Sequence, residues 1–431
     1  MKICIVGLGY VGLPTALAFA EAGYDVVGVD VKKASVDKLS NGESTIPEII
    51  EDERIKNLLK KSKIRFTTDT KSAVGASDAV LITVPTPVDE SKLPDLRFVE
   101  SAAEDVAEGL GKGKLVVLES TVYPGVTEEI VQPILEKKTG LKAGKDFGLA
   151  YCPERYNPGD KEHTIESIRR VVGAIDKNWL EIAAGMYSKI TKKGVMKVSS
   201  IKTAEAAKVI ENIQRDLNIG LMNELALIFD KMNIDTREVI GAAATKWNFH
   251  IYYPGPGVGG HCLSVDPYYL VYKARQLGFS PKIITAGREI NDYMARHVVE
   301  LVSRALNEKE RNFKNSKIAI LGASYKGNVG DARETPAKRI AEELKEKSAR
   351  VFVYDSLVEK DEMKRWGVEV TDYSTSVLDA DCVIIHSDHD EFKDLDLGKL
   401  SRSMRTKIII DTRALIDQKK AHELGFLLKR I

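Results

Sequence analysis

Gly7-Leu8-Gly9-Tyr10-Val11-Gly12 constrains this chain more than any other stretch. It directly follows an apolar run of strand length, KICIV, and opens a helical run, LPTALAFAEAG. A second apolar run, DVVGVD, ends in Asp30, 18 residues after Gly12. Strand, glycine turn, helix, strand and acid in that order make a dinucleotide-binding βαβ unit. The glycines permit a tight turn and close backbone approach. The helix N-terminus faces a pyrophosphate, and the acid hydrogen-bonds the adenosine ribose. Gly7, Gly9, Tyr10, Val11, Gly12 and Asp30 are therefore the expected cofactor contacts. Asp30 repels a 2′-phosphate, so NAD is expected over NADP, although Lys32 and Lys33 stand close by.

The βαβ rhythm continues through residues 1–198. DAVLITVP, KLVVLES and FGLAYCP are further apolar runs separated by amphipathic segments, which predicts a parallel sheet with helices on both faces. Ligands of such sheets sit beyond the carboxyl ends of strands. Thr86, Ser120 and Thr121 follow strands there and are candidate lining residues, with ordinary turn chemistry as the alternative. Residues 199–233 break the rhythm with no proline, a single glycine and a leading Ser pair suited to N-capping. They predict one long helix of roughly 50 Å, followed by shorter helices over 235–247 and 268–308. Residues 315–431 return to alternation with SKIAILGAS, ARVFVYD, DCVIIHS and TKIIIDTR.

The expected fold is thus α/β: two Rossmann-like doubly wound parallel-sheet domains joined by a helical middle domain with a long central helix. The expected boundaries are 1–198, 199–312 and 313–431. A length of 431 residues suits such a division. With 64 basic and 63 acidic residues, nothing favours nucleic acid or a membrane surface. No run approaches the roughly 20 apolar residues of a membrane helix, and the N-terminus reads as a strand rather than a signal peptide. Cys4, Cys152, Cys262 and Cys382 are far apart with no CxxC. A reduced, cytoplasmic setting without a metal is expected.

Three further stretches carry chemistry. The last βα unit lacks the glycine fingerprint but places Tyr325, Lys326 and Arg333 after a strand. Two cations seven residues apart there suit a phosphate-bearing ligand, against the alternative of a solvated basic loop. On the long helix, Glu205, Lys208, Asn212 and Arg215 share a stripe, either an exposed face or a polar edge aimed into a cleft. In PGPGVGGHCLSVDP, glycines surround Cys262 and leave it little apolar cover, with Asp266 four residues on. Cys4 and Cys382 sit in apolar strands and read as small buried hydrophobes. Cys262 instead suits a thiolate nucleophile, its pKa lowered by a neighbouring His, loop amides or a nearby Lys. A thiolate beside NAD suggests a definite route. It traps an aldehyde as a thiohemiacetal, hydride loss gives a thioester, and water releases an acid.

Here the chain resembles the UDP-glucose/GDP-mannose dehydrogenase family over essentially its whole length. The resemblance rests on GLGYVGLPTALAFAEAGYDVVGVD, ESTVYPG, PERYNPGD, AEAAKVIENIQRDLNIGLMNE, PGPGVGGHCLSVDPYYL and SYKGNVGDARETPA. PER-x-x-PGD and GGHC-x-x-VDP match the branch acting on UDP-N-acetylhexosamines. The glucose enzymes usually carry Ser where this chain has His261.

The resemblance implies oxidation of a sugar C6 alcohol to a carboxylate with two NAD per turnover. UDP-N-acetyl-D-mannosamine is favoured narrowly over UDP-N-acetyl-D-glucosamine. By motif, Cys262 is the nucleophile, Lys208 and Asn212 stabilise oxyanions, and Asp266 assists proton transfer and hydrolysis. Glu154 and Thr121 position water, and Arg155 and Arg215 meet substrate. Tyr325 and Lys326 contact the diphosphate-sugar, Arg333 reaches towards NAD, and the loop from Tyr252 to Gly259 wraps the sugar. The resemblance also implies a homodimer or dimer of dimers built on the long helix, with a partner residue completing the site. Two positions depart from the pattern. Ser35 replaces an arginine near the adenosine, and only Lys246 or His250 stands where a substrate arginine precedes the glycine loop. The rival readings are a UDP-glucose 6-dehydrogenase, a two-electron hydroxyacid-type NAD dehydrogenase, and a nucleotide-sugar sensor. The hydroxyacid type needs neither Cys262 nor residues 315–431, and a sensor has no use for Cys262 and Lys208.

Overall fold

The computed structural model describes the chain from Met1 to Ile431 except Glu48, Glu90, residues 157–163 and His261. It divides into two compact units, Met1–Glu211 with Tyr268–Ser280, and Asn212–Pro267 with Pro281–Ile431. Each is built on one sheet.

The first sheet has eight strands: β1 (Lys2–Val6), β2 (Asp25–Val29), β3 (Ile64–Thr67), β4 (Ala79–Ile82), β5 (Leu115–Leu118), β6 (Gly148–Tyr151), β7 (Arg170–Ala174) and β8 (Val195–Lys197). Their order is β3-β2-β1-β4-β5-β6-β7-β8, so the first six follow the doubly wound dinucleotide-binding arrangement. β4, β5 and β6 are buried at every position, as expected of strands covered on both faces. The helix Gly12–Glu21 is buried from Gly12 to Ala20, which its alanine and leucine content allows. The sheet is not parallel throughout: β7 pairs antiparallel with β6. Antiparallel neighbours need no crossover helix, and no helix forms among the described residues between them.

The second sheet has six strands: β9 (Lys317–Leu321), β10 (Arg350–Tyr354), β11 (Glu369–Val370), β12 (Cys382–Ile385), β13 (Ile408–Asp411) and β14 (Leu427–Arg430). It is parallel throughout. Its order, β11-β10-β9-β12-β13-β14, repeats the 3-2-1-4-5-6 pattern, so each unit has its switch point beside its first strand.

The long helix spans Ile201–Met232, within two residues of the sequence expectation at either end. Ser200 caps it, accepting from the Thr203 amide at 3.1 Å. Asn233, in the left-handed region at φ 56°, ends it, and the Ile234 amide returns to Phe229 O at 3.0 Å. The boundary between the units falls within this helix, between Glu211 and Asn212. No helix among the described residues is long and apolar enough to cross a membrane.

Candidate active site

In the first unit the glycine turn is tight. Gly7 has φ +96°, and a Cβ on Gly12 would lie 1.8 Å from Gly7 O and 2.4 Å from Thr83 Oγ1. Gly9 has no neighbour within 4 Å of its Cβ position, so the turn opens to a ligand there. Asp30 accepts the Leu8 amide at Oδ2 and the Lys32 amide at Oδ1, each at 2.9 Å. A carboxylate oxygen has two lone pairs, which leaves both oxygens capacity for ribose hydroxyls. These residues fit NAD. Tyr10 and Val11 are half-buried on the same turn. Lys32 and Lys33 are exposed, and Ser35 is half-buried. Thr86 and Thr121 are half-buried at strand ends. Ser120 is buried, and its hydroxyl donates to Val84 O at 2.7 Å; turn chemistry accounts for that side chain.

Glu154 is buried in this unit. Its Oε1 accepts the Arg155 and Tyr156 amides, each at 2.7 Å. Its Oε2 lies 2.5 Å from Arg170 Nη2. Arg155, half-buried, pairs with Glu211 Oε1 at 2.8 Å and donates to Arg169 O. On the long helix Lys208 is 9% exposed and Glu205 fully buried. Glu205 accepts from the Gly125 amide at 2.5 Å and from the Thr127 amide and hydroxyl. It therefore anchors the loop of the ESTVYPG motif and is no part of an open polar stripe. Burial outweighs those bonds and pushes Glu205 up to about 7.

In the second unit Cys262, Asp266 and Asn212 come together. The Asp266 amide donates to Cys262 O at 2.8 Å, placing acid and thiol on one helical turn. Asn212 Nδ2 donates to Asp266 Oδ2 at 2.5 Å. Cys262 is half-buried, whereas Cys4, Cys152 and Cys382 are buried, and burial pushes Cys4 up to about 12. The glycines before the thiol serve a close approach: a Cβ on Gly259 would lie 2.6 Å from Tyr325 Cβ, and one on Gly260 2.9 Å from the Tyr325 ring. Tyr325 thus packs on the loop that carries Cys262, and burial, then the Asp331 charge, push its phenol up to about 12. Lys326 is half-buried on the same loop. Arg333 forms a double contact with Asp331, at 2.9 Å from Nε and 2.6 Å from Nη2. Tyr252 is half-buried, while Arg215, Lys246 and His250 are exposed. His261 and residues 157–163, which carry the marks of the N-acetylhexosamine branch, lie outside the described residues.

Two features escaped the sequence reading. A buried polar chain supports the glycine loop. Asn223 accepts the Gly255 amide at 2.9 Å, Asn291 accepts from Asn223 at 2.8 Å, and Asp216 takes Asn291 and Arg288. Polar residues on the inner face of a long helix were the available signal. Arg413, just past β13, donates to His386 O at 2.7 Å, and its Nη1 lies 3.2 Å from the Cβ position of Gly255. A cation two residues after the strand-length run IIID was its mark.

The second sheet also shows why it lacks a dinucleotide fingerprint. Asp355, after β10, stands where Asp30 stands after β2. It is saturated by the amides of Ala323, Ser324, Leu357 and Val358 and by His389 Nε2. No capacity remains there for a ribose.

A dinucleotide turn in one unit and a thiol in a glycine loop in the other define a dinucleotide-linked oxidoreductase. Residues 1–191 match the NAD binding domain of the UDP-glucose/GDP-mannose dehydrogenase family, residues 202–293 its central domain and residues 319–418 its UDP binding domain. The chain belongs to that family. It is 43% identical over 417 residues to Protein CapL of Staphylococcus aureus, covering 96% of each chain. It is 41% identical over 424 residues to the UDP-N-acetyl-D-glucosamine 6-dehydrogenase of Pseudomonas aeruginosa, covering 98% of each. The solved structure of the UDP-D-ManNAc dehydrogenase of Pyrococcus horikoshii superposes with a TM-score of 0.90 at 34% identity, covering 100% of this chain and 99% of that one.

Proposed function

We propose that the protein oxidises the C6 alcohol of a UDP-N-acetylhexosamine to the uronic acid. The observation that carries this reading is that Cys262 and Asp266 share one helical turn and that Asn212 of the long helix bonds to Asp266. NAD, held by the Gly7–Gly12 turn and Asp30, supplies the hydride acceptor. Cys262 adds to the C6 aldehyde as a thiohemiacetal, whose oxidation gives a thioester. Lys208 and Asn212 place donors where negative charge develops at C6 oxygen, each worth about 3 kcal/mol. Asp266, held by Asn212, assists proton transfer. Glu154 and Thr121 orient the hydrolytic water. Arg155, Tyr325 and Lys326 serve the diphosphate-sugar.

Identity supports the gluco epimer. The relative named for UDP-N-acetyl-D-glucosamine is 41% identical, the Pyrococcus horikoshii mannosamine enzyme 36% over its sequence. The manno epimer, whose enzymes share the same motifs, is the second reading. Assaying both UDP-sugars side by side and counting NADH per sugar tests the proposal. Two NADH per uronic acid from either epimer is the expected result. One NADH per sugar points to a two-electron dehydrogenase, none to a sensor, and turnover confined to UDP-glucose also overturns the reading.

A homodimer is part of the proposal. Ile210, Leu221, Ile228 and Met232 on the long helix are 46–57% exposed. At 100° per residue they fall within about 40° of one another. Such an apolar stripe is what a partner helix covers.

A further inference from the structure

Arg170 opens β7 and is 0% exposed. Its Nη2 lies 2.5 Å from Glu154 Oε2, and its Nη1 donates to Pro153 O at 3.4 Å. Its guanidinium carbon sits 5.6 Å from the centroid of the Tyr187 ring. The neighbouring carboxylate, Glu119, accepts the Tyr187 hydroxyl at 2.5 Å and also feels the Arg170 charge. Glu154 is therefore held from two sides, by the charge of the guanidinium against Oε2 and by hydrogen bonds from the Arg155 and Tyr156 amides at Oε1. Burying an ion pair this deeply gains little stability over an apolar pair of the same volume. What it does gain is a carboxylate with one orientation. Arg170 has no exposed surface with which to touch a substrate, so it acts on the reaction through its neighbours, and Glu154 is the carboxylate it contacts directly.

We propose that Arg170 is a positioning residue for the hydrolytic half of the reaction, fixing the Glu154 carboxylate in the orientation in which it holds the hydrolytic water. The inference rests on the reading of Glu154 given above. In that step the water oxygen bonds to the acyl carbon, and the carbon–sulfur bond breaks with its electron pair on sulfur. One water proton passes to the thiolate, and the other leaves as the acid ionises. No redox change occurs, so the two hydride transfers that precede it do not depend on Arg170.

The test compares Arg170→Lys, Glu154→Gln and the double variant Arg170→Met/Glu154→Gln in the full-length enzyme with NAD and the UDP-sugar it turns over. The double variant removes the Arg170–Glu154 pair as a unit, so neither member is left as the unpaired buried ion of a single change, and its fold is checked by circular dichroism. Both single variants are expected to give a burst of two NADH per site. A steady state slowed roughly 10–100-fold follows, with an acyl adduct on Cys262 visible by intact-protein mass spectrometry. The double variant is expected to match Glu154→Gln. A purely structural role lowers burst and steady state together and traps no adduct, and that result for Arg170→Lys overturns the proposal. An adduct with Glu154→Gln but none with Arg170→Lys overturns it while leaving the role of Glu154 intact. A double variant well below Glu154→Gln shows that Arg170 acts by another route and also overturns it. No adduct in either single variant removes the reading of Glu154 and the proposal with it.

Discussion

At the scale of single residues, the thiol and the glycines carry the sharpest expectations. Cys262 is the half-buried one of four cysteines, joined by its carbonyl to Asp266. Cys262→Ser is expected to bind NAD and UDP-sugar with unchanged affinity, as calorimetry reads it. Its uronic acid production should fall roughly a thousandfold or more, because a serine hydroxyl is a poor nucleophile here. Normal acid production by that variant ends the thioester route. Gly12→Ala tests the cofactor turn. Its Cβ would fall 1.8 Å from Gly7 O, so the turn must open. NAD affinity is expected to drop about tenfold or more, equal to ~1.4 kcal/mol per decade, while UDP affinity stays unchanged.

At the scale of elements, the long helix performs two tasks with two faces. Its inward polar residues, Asp216 and Asn223, are fully buried and brace the glycine loop through Asn291. Its outward stripe of Ile210, Leu221, Ile228 and Met232 is apolar and exposed. Leu221→Glu with Ile228→Glu puts charges on that stripe and leaves the inner face alone. Sedimentation is expected to change from dimer to monomer, with the helix content by circular dichroism preserved. A wild-type chain that sediments as a monomer removes the dimer reading altogether.

At the scale of the whole molecule, the two units respond oppositely to pH. In the first, burial pushes Glu119 up to about 7 against the pull of Arg170, and Glu205 up to about 7 as well. An unfolded chain releases those protons near 4.5. Between about 4.5 and 7 the folded unit holds more protons, so its stability falls as pH rises through that window. In the second, burial pushes Asp355 and Asp381 upward. His389 and loop amides outweigh it at the first, Arg405 and the Lys317 amide at the second, and both are held at about 2. Their contribution is present above the ordinary 3.8 and lost as pH falls towards 2. Hydrogen exchange, corrected for intrinsic rate, is expected to show protection in β1, β4 and β5 rising from pH 8 to pH 5. In β9, β10 and β12 protection should collapse only below about pH 4. Glu119→Gln should flatten the first trend; an unchanged trend in that variant refutes the assignment.

The sequence by itself determined the two doubly wound sheets in outline, because their central strands, buried on both faces, are apolar runs of strand length. It determined the long helix to within two residues, because a capping serine and 32 residues without proline leave few alternatives. It also singled out the dinucleotide turn, where spacing is local and glycine is sterically required. Tertiary structure alone decided which polar side chains are spent internally. Lys208 and Glu205 are three residues apart and look alike as members of one stripe. Yet Glu205 closes a loop 78 residues away, at Thr127. By motif Arg155 is expected at the substrate and Arg333 near NAD, and each is paired with a carboxylate, Glu211 and Asp331. Arg170 carries no motif, and its ion pair with Glu154 exists because an antiparallel strand folds back beside the end of β6. Local spacing fixes backbone form, whereas the partner of a charge is set by chain segments that meet only after folding.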